Sequence, residues 1–372
     1  MKTYIQPLFT AGLVFPFIAL LITIPYMIHN YRKYGSILFT RTVIIYSFIF
    51  YLLCVYFLVV LPLPKNDIQH YSNPMQLIPF NFINDFKNYG YTFTGLRSII
   101  TFFKNPVVYQ LIFNLMMTLP FGVYFRYYFK RNWIQCLIGT FILSLSFELL
   151  QLTGILGLYK YPYRLFDVDD LMVNTCGGMI GYFLTPYLTK YLPSMDKLDE
   201  VSYKKGQTVS FFRRLVAYFI DQIIIILMTI IISSVFPTHN TYYLFILLYL
   251  VGVLLYYGLI GYLLKGRTLG NRVVKIGLVC KDNTPIKPLN IIIRYALVMM
   301  FDKLIPVTIF ELMVISTDNS SLNNFLLVLS LILLVIYTIF ILRVIIVCII
   351  KKDELLYEEL SNTTNISLID KE

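Results

Sequence analysis

Apolar residues along this 372-residue chain come in long unbroken blocks, and polar residues gather between them. Windows of about 20 apolar residues, the length a helix needs to cross a bilayer core, fall at 8–28, 42–61, 107–125, 133–154 and 171–189. Four more follow at 215–236, 242–264, 291–315 and 325–350. The pattern predicts an all-α polytopic integral membrane protein with about nine transmembrane helices. The first block is too long for the apolar region of a signal peptide, and residues 1–6 carry a single lysine with no small-residue cleavage site after the block. It is expected to stay in the mature protein.

The stretch 190–210, with Pro193, Ser194, Asp196, Lys197, Asp199, Glu200, Lys204 and Lys205, is clearly polar. It reads as a linker between a five-helix unit at 1–189, which carries a long loop at 62–106, and a four-helix unit at 211–350 with a tail at 351–372. No inverted repeat of the kind found in many secondary transporters is visible, which lowers that expectation.

Composition agrees with a bilayer as solvent: 58% of residues are hydrophobic, 17% aromatic and only 14% charged. Those values exclude an ordinary soluble enzyme, a disordered chain, a collagen-like chain and a disulfide-rich secreted scaffold. The net charge of +11 is mostly a topology signal. Alternate connections between the windows hold 23 Lys and Arg on one side and 7 on the other. The richer side is expected to be cytoplasmic, which puts the N-terminus outside and the C-terminus inside. A nucleic-acid partner is therefore not expected. The five cysteines lie in or beside apolar blocks without a CxxC, and His29, His70 and His239 are isolated. Neither a disulfide framework nor a zinc site is read from them.

Polar side chains inside apolar helices cost free energy, so each is a site candidate. The third window carries Gln110 and Asn114, the fourth Ser144, Glu148 and Gln151, and the fifth Asn174 one turn after Asp169 and Asp170. Each set falls on one helix face. At 1.5 Å per residue, Asn114 lies roughly 10 Å, Glu148 about 8 Å and Asn174 about 6 Å below the outer helix ends. The three helices are expected to meet in an outer polar pocket below Arg164, Asp167, Asp169 and Asp170. Helix capping is the plainer explanation for Asp169 and Asp170, and a buried hydrogen-bonded carboxyl the plainer one for Glu148. Gly177 and Gly181 have GxxxG spacing, a helix-packing signal.

These residues carry a resemblance. Gln76-Leu77-Ile78-Pro79-Phe80, Asn114 followed by Leu119-Pro120-Phe121-Gly122, and Ser146-Phe147-Glu148-Leu149-Leu150-Gln151 occur in order. Arg164-Leu165-Phe166-Asp167-Val168-Asp169-Asp170 and Asn174-Thr175-Cys176-Gly177-Gly178 follow. The set resembles the VanZ family of bacterial membrane proteins over about residues 40–190. The resemblance implies a bacterial cytoplasmic membrane protein linked to reduced susceptibility to teicoplanin and related lipoglycopeptides. An outer pocket of this kind suits a lipid headgroup or a lipid-linked cell-wall component as partner.

In the second unit, Arg214, Ala217 and Asp221 share a face of the sixth window, and the eighth contains Asp302 and Lys303. Asp221 lies about 13 Å and Asp302 about 17 Å from the cytoplasmic helix ends. Alternating Val, Ile and basic residues over 266–284, ending in Asp282-Asn283-Thr284-Pro285, suggest a short cytoplasmic β-hairpin. That basic segment also suits an anionic lipid surface. The combination resembles the RDD family over about residues 208–350, with Arg214 and Asp221 matching its arginine and first aspartate and Asp302 taken as the second. An ion or proton path, a self-paired structural cluster and a partner-docking unit all remain open. The acidic tail around Glu358 and Glu359 reads as a solvated end, with a contact to the basic 266–284 segment as the alternative.

No GxSxG, HExxH or phosphate-binding loop occurs, and no histidine stands near Glu148. No cofactor or metal is expected. An envelope protein of the membrane comes first, a small-solute or ion transporter second, and an enzyme using a carboxylate pair on a lipid-linked substrate third.

Overall fold

The computed structural model describes residues 2–61, 63, 74–88, 105–162, 164–235, 241–282, 286–315, 320–350 and 355–369. Most of the 62–106 loop, His70, His239, Asp353 and Glu354 lie outside them. Helix α1 (Lys2–Tyr34) is followed by α2 (Phe39–Val60), strand β1 (Met75–Gln76), and helices α3 (Phe82–Asn88), α4 (Pro106–Tyr127) and α5 (Trp133–Leu152). Strand β2 (Phe166–Asp167), α6 (Val168–Leu188) and α7 (Met195–Gly206) come next. Helices α8 (Phe211–Val235) and α9 (Thr241–Leu254), α10 (Leu269–Val273), β3 (Ile276–Cys280), α11 (Pro288–Met299), α12 (Ile305–Val314), α13 (Ser320–Ile350), α14 (Leu356–Leu360) and β4 (Thr363–Ser367) follow, with short helical turns at Gly154–Gly157, Leu255–Ile260 and Gly261–Leu263.

All nine apolar windows fall in helical segments among the described residues. Among the described residues, seven helices are long and apolar enough to cross a membrane. The other two windows are interrupted by polarity. Helix α6 carries Asp169, Asp170, Asn174 and three glycines, and the eighth window is divided between α11 and α12 by a π-helical turn at Met300–Leu304 that holds Asp302 and Lys303. Outward faces stay apolar, with Leu327, Val335 and Ile339 of α13 exposed, as a hydrocarbon surrounding requires.

The chain divides into two compact units, one of residues 1–23 and 38–198 and one of 24–37 and 199–372. In the first, Phe48, Val55, Val59, Phe121, Leu143 and Phe147 form the core between α2, α4 and α5. Helix starts follow local chemistry. The Asn105 side chain accepts from Val107 N ahead of Pro106, and Asn132 with Gln135 forms a reciprocal capping box.

Helices α4 and α6 pack backbone to backbone. A methyl group at Gly122 would lie 1.8 Å from the Gly178 carbonyl oxygen, and one at Gly181 would lie 1.9 Å from that of Leu119. Gly178 also faces Thr140 of α5. Small residues thus let α6 sit against both neighbours, which draws their polar faces together.

In the second unit, Ile225, Val253, Tyr256 and Tyr257 make one core cluster, and Tyr31, Val209, Ala217, Val274 and Ile276 another. Two sequence expectations need correction here. Among the described residues of 266–284 there is no hairpin: Leu269–Val273 is helical, and β3 pairs antiparallel with β4, with Ile276 opposite Ser367 and Cys280 opposite Thr363. Nor is the tail a solvated end, because Glu358 is 1% exposed. Within the 190–210 stretch, Met195–Gly206 forms the helix α7.

Candidate functional site

The first site is built where α4, α5 and α6 converge. Asp167 caps α6, its carboxylate accepting from Asp169 N at 2.8 Å. Strand β1 pairs in parallel with β2, Gln76 opposite Asp167, which anchors the preceding loop here. The Gln76 amide folds back on that loop, donating to Ile78 O at 2.7 Å and accepting from Ile78 N at 2.6 Å. Phe80 adopts a left-handed φ of 62°. Phe80 N and Phe82 N then donate to the two Asp169 oxygens at 2.6 and 3.0 Å. Backbone amides clustered on one carboxylate form an anion nest. Asp169 is thereby committed to holding the loop.

Asp170 points the other way, toward α4. Asn114 donates to it at 2.7 Å, and Gln110 reaches both its oxygens at 3.4 Å. One turn deeper, Thr118 donates to Asn174 O at 2.7 Å, and the Asn174 amide donates to Ser144 at 2.9 Å. The Asn174 side-chain oxygen is buried without a hydrogen-bond partner among the described residues. Glu148, 2% exposed, accepts from Asp167 N at 2.9 Å. Among the described residues it makes no hydrogen bond to Gln151, Asn114 or Arg164. Gln151 is buried on the same face of α5. The charges of Asp167 and Asp170 both act on Glu148, as does that of Arg164. Arg164 is exposed and makes no salt bridge to these carboxylates among the described residues.

Of the eight residues read as an outer pocket, Asn114 and Asp170 are joined directly, Glu148 meets the Asp167 backbone, and Asn174 is tied to both α4 and α5. Thr118 was not foreseen. A threonine in an apolar helix commonly bonds its own preceding turn, so nothing in the sequence marked it as a bridge between helices.

The second site lies in the other unit. Arg214, Asp221 and Asp302 all line one cavity of about 300 Å³. Each spends its bonds on other partners. Arg214 pairs with Glu358 at 2.7 Å, and Arg294 of α11 pairs with the same carboxylate at 3.2 Å. Asp221 accepts from the Tyr256 hydroxyl and from Gly270 N at 2.7 Å. Asp302 accepts from the Tyr218 hydroxyl and pairs with Lys303 at 3.1 Å. Asp221 therefore anchors the start of α10 instead of facing Asp302. Tail residues Leu355, Tyr357 and Asn365 close the cavity wall. Arg294 stacks over the Tyr357 ring at 5.0 Å, and burial pushes the Tyr357 phenol up to about 12.

The fully buried arginine of α8 is Arg213, whereas Arg214, matched from the sequence to the RDD arginine, lines the cavity. The Arg213 guanidinium donates to Val274 O, Gly35 O, Gly206 O, Lys275 O and the Ser367 hydroxyl, at 2.8 to 3.2 Å. Two adjacent arginines at a helix start leave the inward one undetermined by spacing alone. No group of three or more metal-binding side chains occurs among the described residues.

Residues 48–189 match the family model described as VanZ/LLP1, and residues 208–354 match that of the RDD family. No curated protein and no solved structure matches the chain.

Proposed function

From the premise that this multi-pass membrane protein fuses an N-terminal VanZ unit to a C-terminal RDD unit, we propose a role in the envelope of a bacterial cell. The protein sits in the cytoplasmic membrane and lowers susceptibility to teicoplanin-type lipoglycopeptides. Its polar cluster at the ends of α4, α5 and α6 recognises a lipid headgroup or a lipid-linked wall precursor. The observation that carries this reading is the convergence of Glu148, Asp167 and Asp170 from separate elements, beside the Gln110 and Asn114 amides. Carboxylates and amides gathered at one membrane depth are costly to insert and suit a polar ligand that reaches them from the lipid. The buried Asn174 oxygen supplies a further acceptor.

Gene deletion is expected to raise teicoplanin sensitivity and surface binding of labelled drug. Complementation with the wild type is expected to restore resistance, and with Asp170→Asn to fail at equal protein level. Unchanged susceptibility on deletion overturns the reading. Full complementation by Asp170→Asn makes the cluster structural.

The cavity shared by Arg214, Asp221 and Asp302 favours a second reading, an ion or small-solute path through the RDD unit. Altered sodium or proton tolerance on deletion, with teicoplanin susceptibility unchanged, selects it.

A further inference from the structure

A separate recess opens in the RDD unit where its second apolar helix ends. The membrane-length segment Leu244–Leu263 stops two residues before Lys265. Gly266, with a φ of 78°, turns the chain, and Gly266 N and Lys265 N bond back to Gly261 O and Tyr262 O at 2.7 and 3.0 Å. These bonds occupy the last helix carbonyls, whose partial negative charge otherwise attracts the lysine inward. The recess that follows has a volume of about 860 Å³.

Lys265, Arg267 and Arg272 line it, and no carboxylate does. All three are exposed, and none has an ion pair among the described residues. The first turn of α11 also borders it, at Pro288 and Ile291, where the positive end of a 12-residue helix adds to the field. Leu278 forms part of its floor. The surface nearby is apolar: Tyr262 and Leu263 of the lining are exposed, as are Leu289 and Ile292, next in sequence to Pro288 and Ile291.

We propose that this recess binds one anionic phospholipid, its phosphate held by Lys265, Arg267 and Arg272 and its acyl chains lying along the apolar ends of the flanking helices. Three unpaired cations with no acid select negative charge. The apolar surface at the end of a membrane-length helix selects a lipid over a free anion. The site differs from diffuse attraction to a charged bilayer because the cations border a defined hollow.

The test uses the purified full chain in detergent, titrated with phosphatidylglycerol, phosphatidylcholine and soluble glycerol phosphate, and read by lipid binding in native mass spectrometry and by thermal stability. Phosphatidylglycerol is expected to bind and stabilise, and the other two to do neither. The R267Q/R272Q variant is expected to weaken that binding by roughly fivefold per cation removed. The R267K/R272K variant is expected to keep most of it. The K204Q/K205Q variant, which removes two exposed charges of α7, is expected to bind as the wild type does. Equal losses in the α7 and recess variants overturn the proposal in favour of diffuse attraction. Equal binding of phosphatidylcholine overturns it, and so does glycerol phosphate binding as tightly. A lipid-free unfolding temperature unchanged in R267Q/R272Q separates lost binding from lost folding.

Discussion

The Asn114 side chain of α4 donates to the Asp170 carboxylate of α6 at 2.7 Å, while the Gln110 contacts to the same carboxylate stretch to 3.4 Å. Asn114 is thus the principal partner of a carboxylate at the mouth of the first unit. The glycine contact between α4 and α6 sets the separation that lets so short a side chain reach.

Among the described residues, Asn114→Ala leaves Asp170 with the two long contacts only. It is expected to destabilise the protein by about 1–3 kcal/mol, the cost of a polar group left without its partner. Asn114→Asp places a second carboxylate there and is expected to lower the unfolding temperature further. An Asn114→Ala protein that unfolds at the wild-type temperature refutes the assignment of Asn114 as principal partner.

Gly122→Ala puts a methyl group 1.8 Å from the Gly178 carbonyl, against backbone that cannot rotate away. The helices must separate, so a loss of at least about 1–3 kcal/mol is expected. Gly258→Ala is the matched control, because nothing lies within 4 Å of a methyl group there. Unfolding temperatures of the two purified variants, compared side by side, check this.

Much of this arrangement is legible in the sequence where its cause is local. The apolar windows mark the helices, and the Gly177, Gly181 spacing marks a close helix contact that Leu115 and Leu119 of α4 complete. Asp167 as an N-cap is readable from its place before α6. Features that rest on distant partners are not readable. Strand β3 looks like half of a hairpin because its alternation is visible, but its partner β4 lies far along the chain. Glu358 looks like a surface residue in an acidic run because the sequence does not show Arg214 and Arg294 converging on it. The nest around Asp169 depends on a left-handed Phe80, a conformation no local pattern announces.

Glu358→Gln removes the shared counter-ion of two largely buried arginines, which also accepts from Leu355 N at 2.9 Å. Breaking a buried pair from one side costs about 3–5 kcal/mol. The tail from Leu355 onward is expected to become accessible to limited proteolysis. The neighbouring Glu359 pairs with Arg343 at the surface. Glu359→Gln is expected to change stability by less than about 1 kcal/mol.

Lys130 bonds Asp196 at 2.5 Å on the surface of the first unit and holds that carboxyl below its ordinary value of 3.8. A carboxylate depressed in the folded state stabilises above its unfolded value and loses that contribution as pH falls through the folded one. The difference in unfolding temperature between wild type and Asp196→Asn is therefore expected to be flat from about pH 5 upward. It is expected to shrink only below the ordinary aspartate value, and to be small throughout because the carboxylate is exposed. A change centred near neutrality contradicts the pairing.

Arg213 and Arg214 are neighbours in sequence but are expected to tolerate lysine differently. The Arg213 guanidinium spends its donors on four backbone carbonyls and a hydroxyl. A lysine there keeps the charge but has a single nitrogen, which reaches only some of those acceptors. Each charged hydrogen bond lost costs about 1.5–3 kcal/mol, so Arg213→Lys is expected to unfold well below the wild type. Arg214 makes its main contact with one Glu358 oxygen, a geometry that an ammonium can reproduce. Arg214→Lys is expected to keep most of the stability. Thermal unfolding of both variants in the same detergent decides which arginine organises the second unit, and an Arg214→Lys protein weaker than Arg213→Lys reverses the assignment.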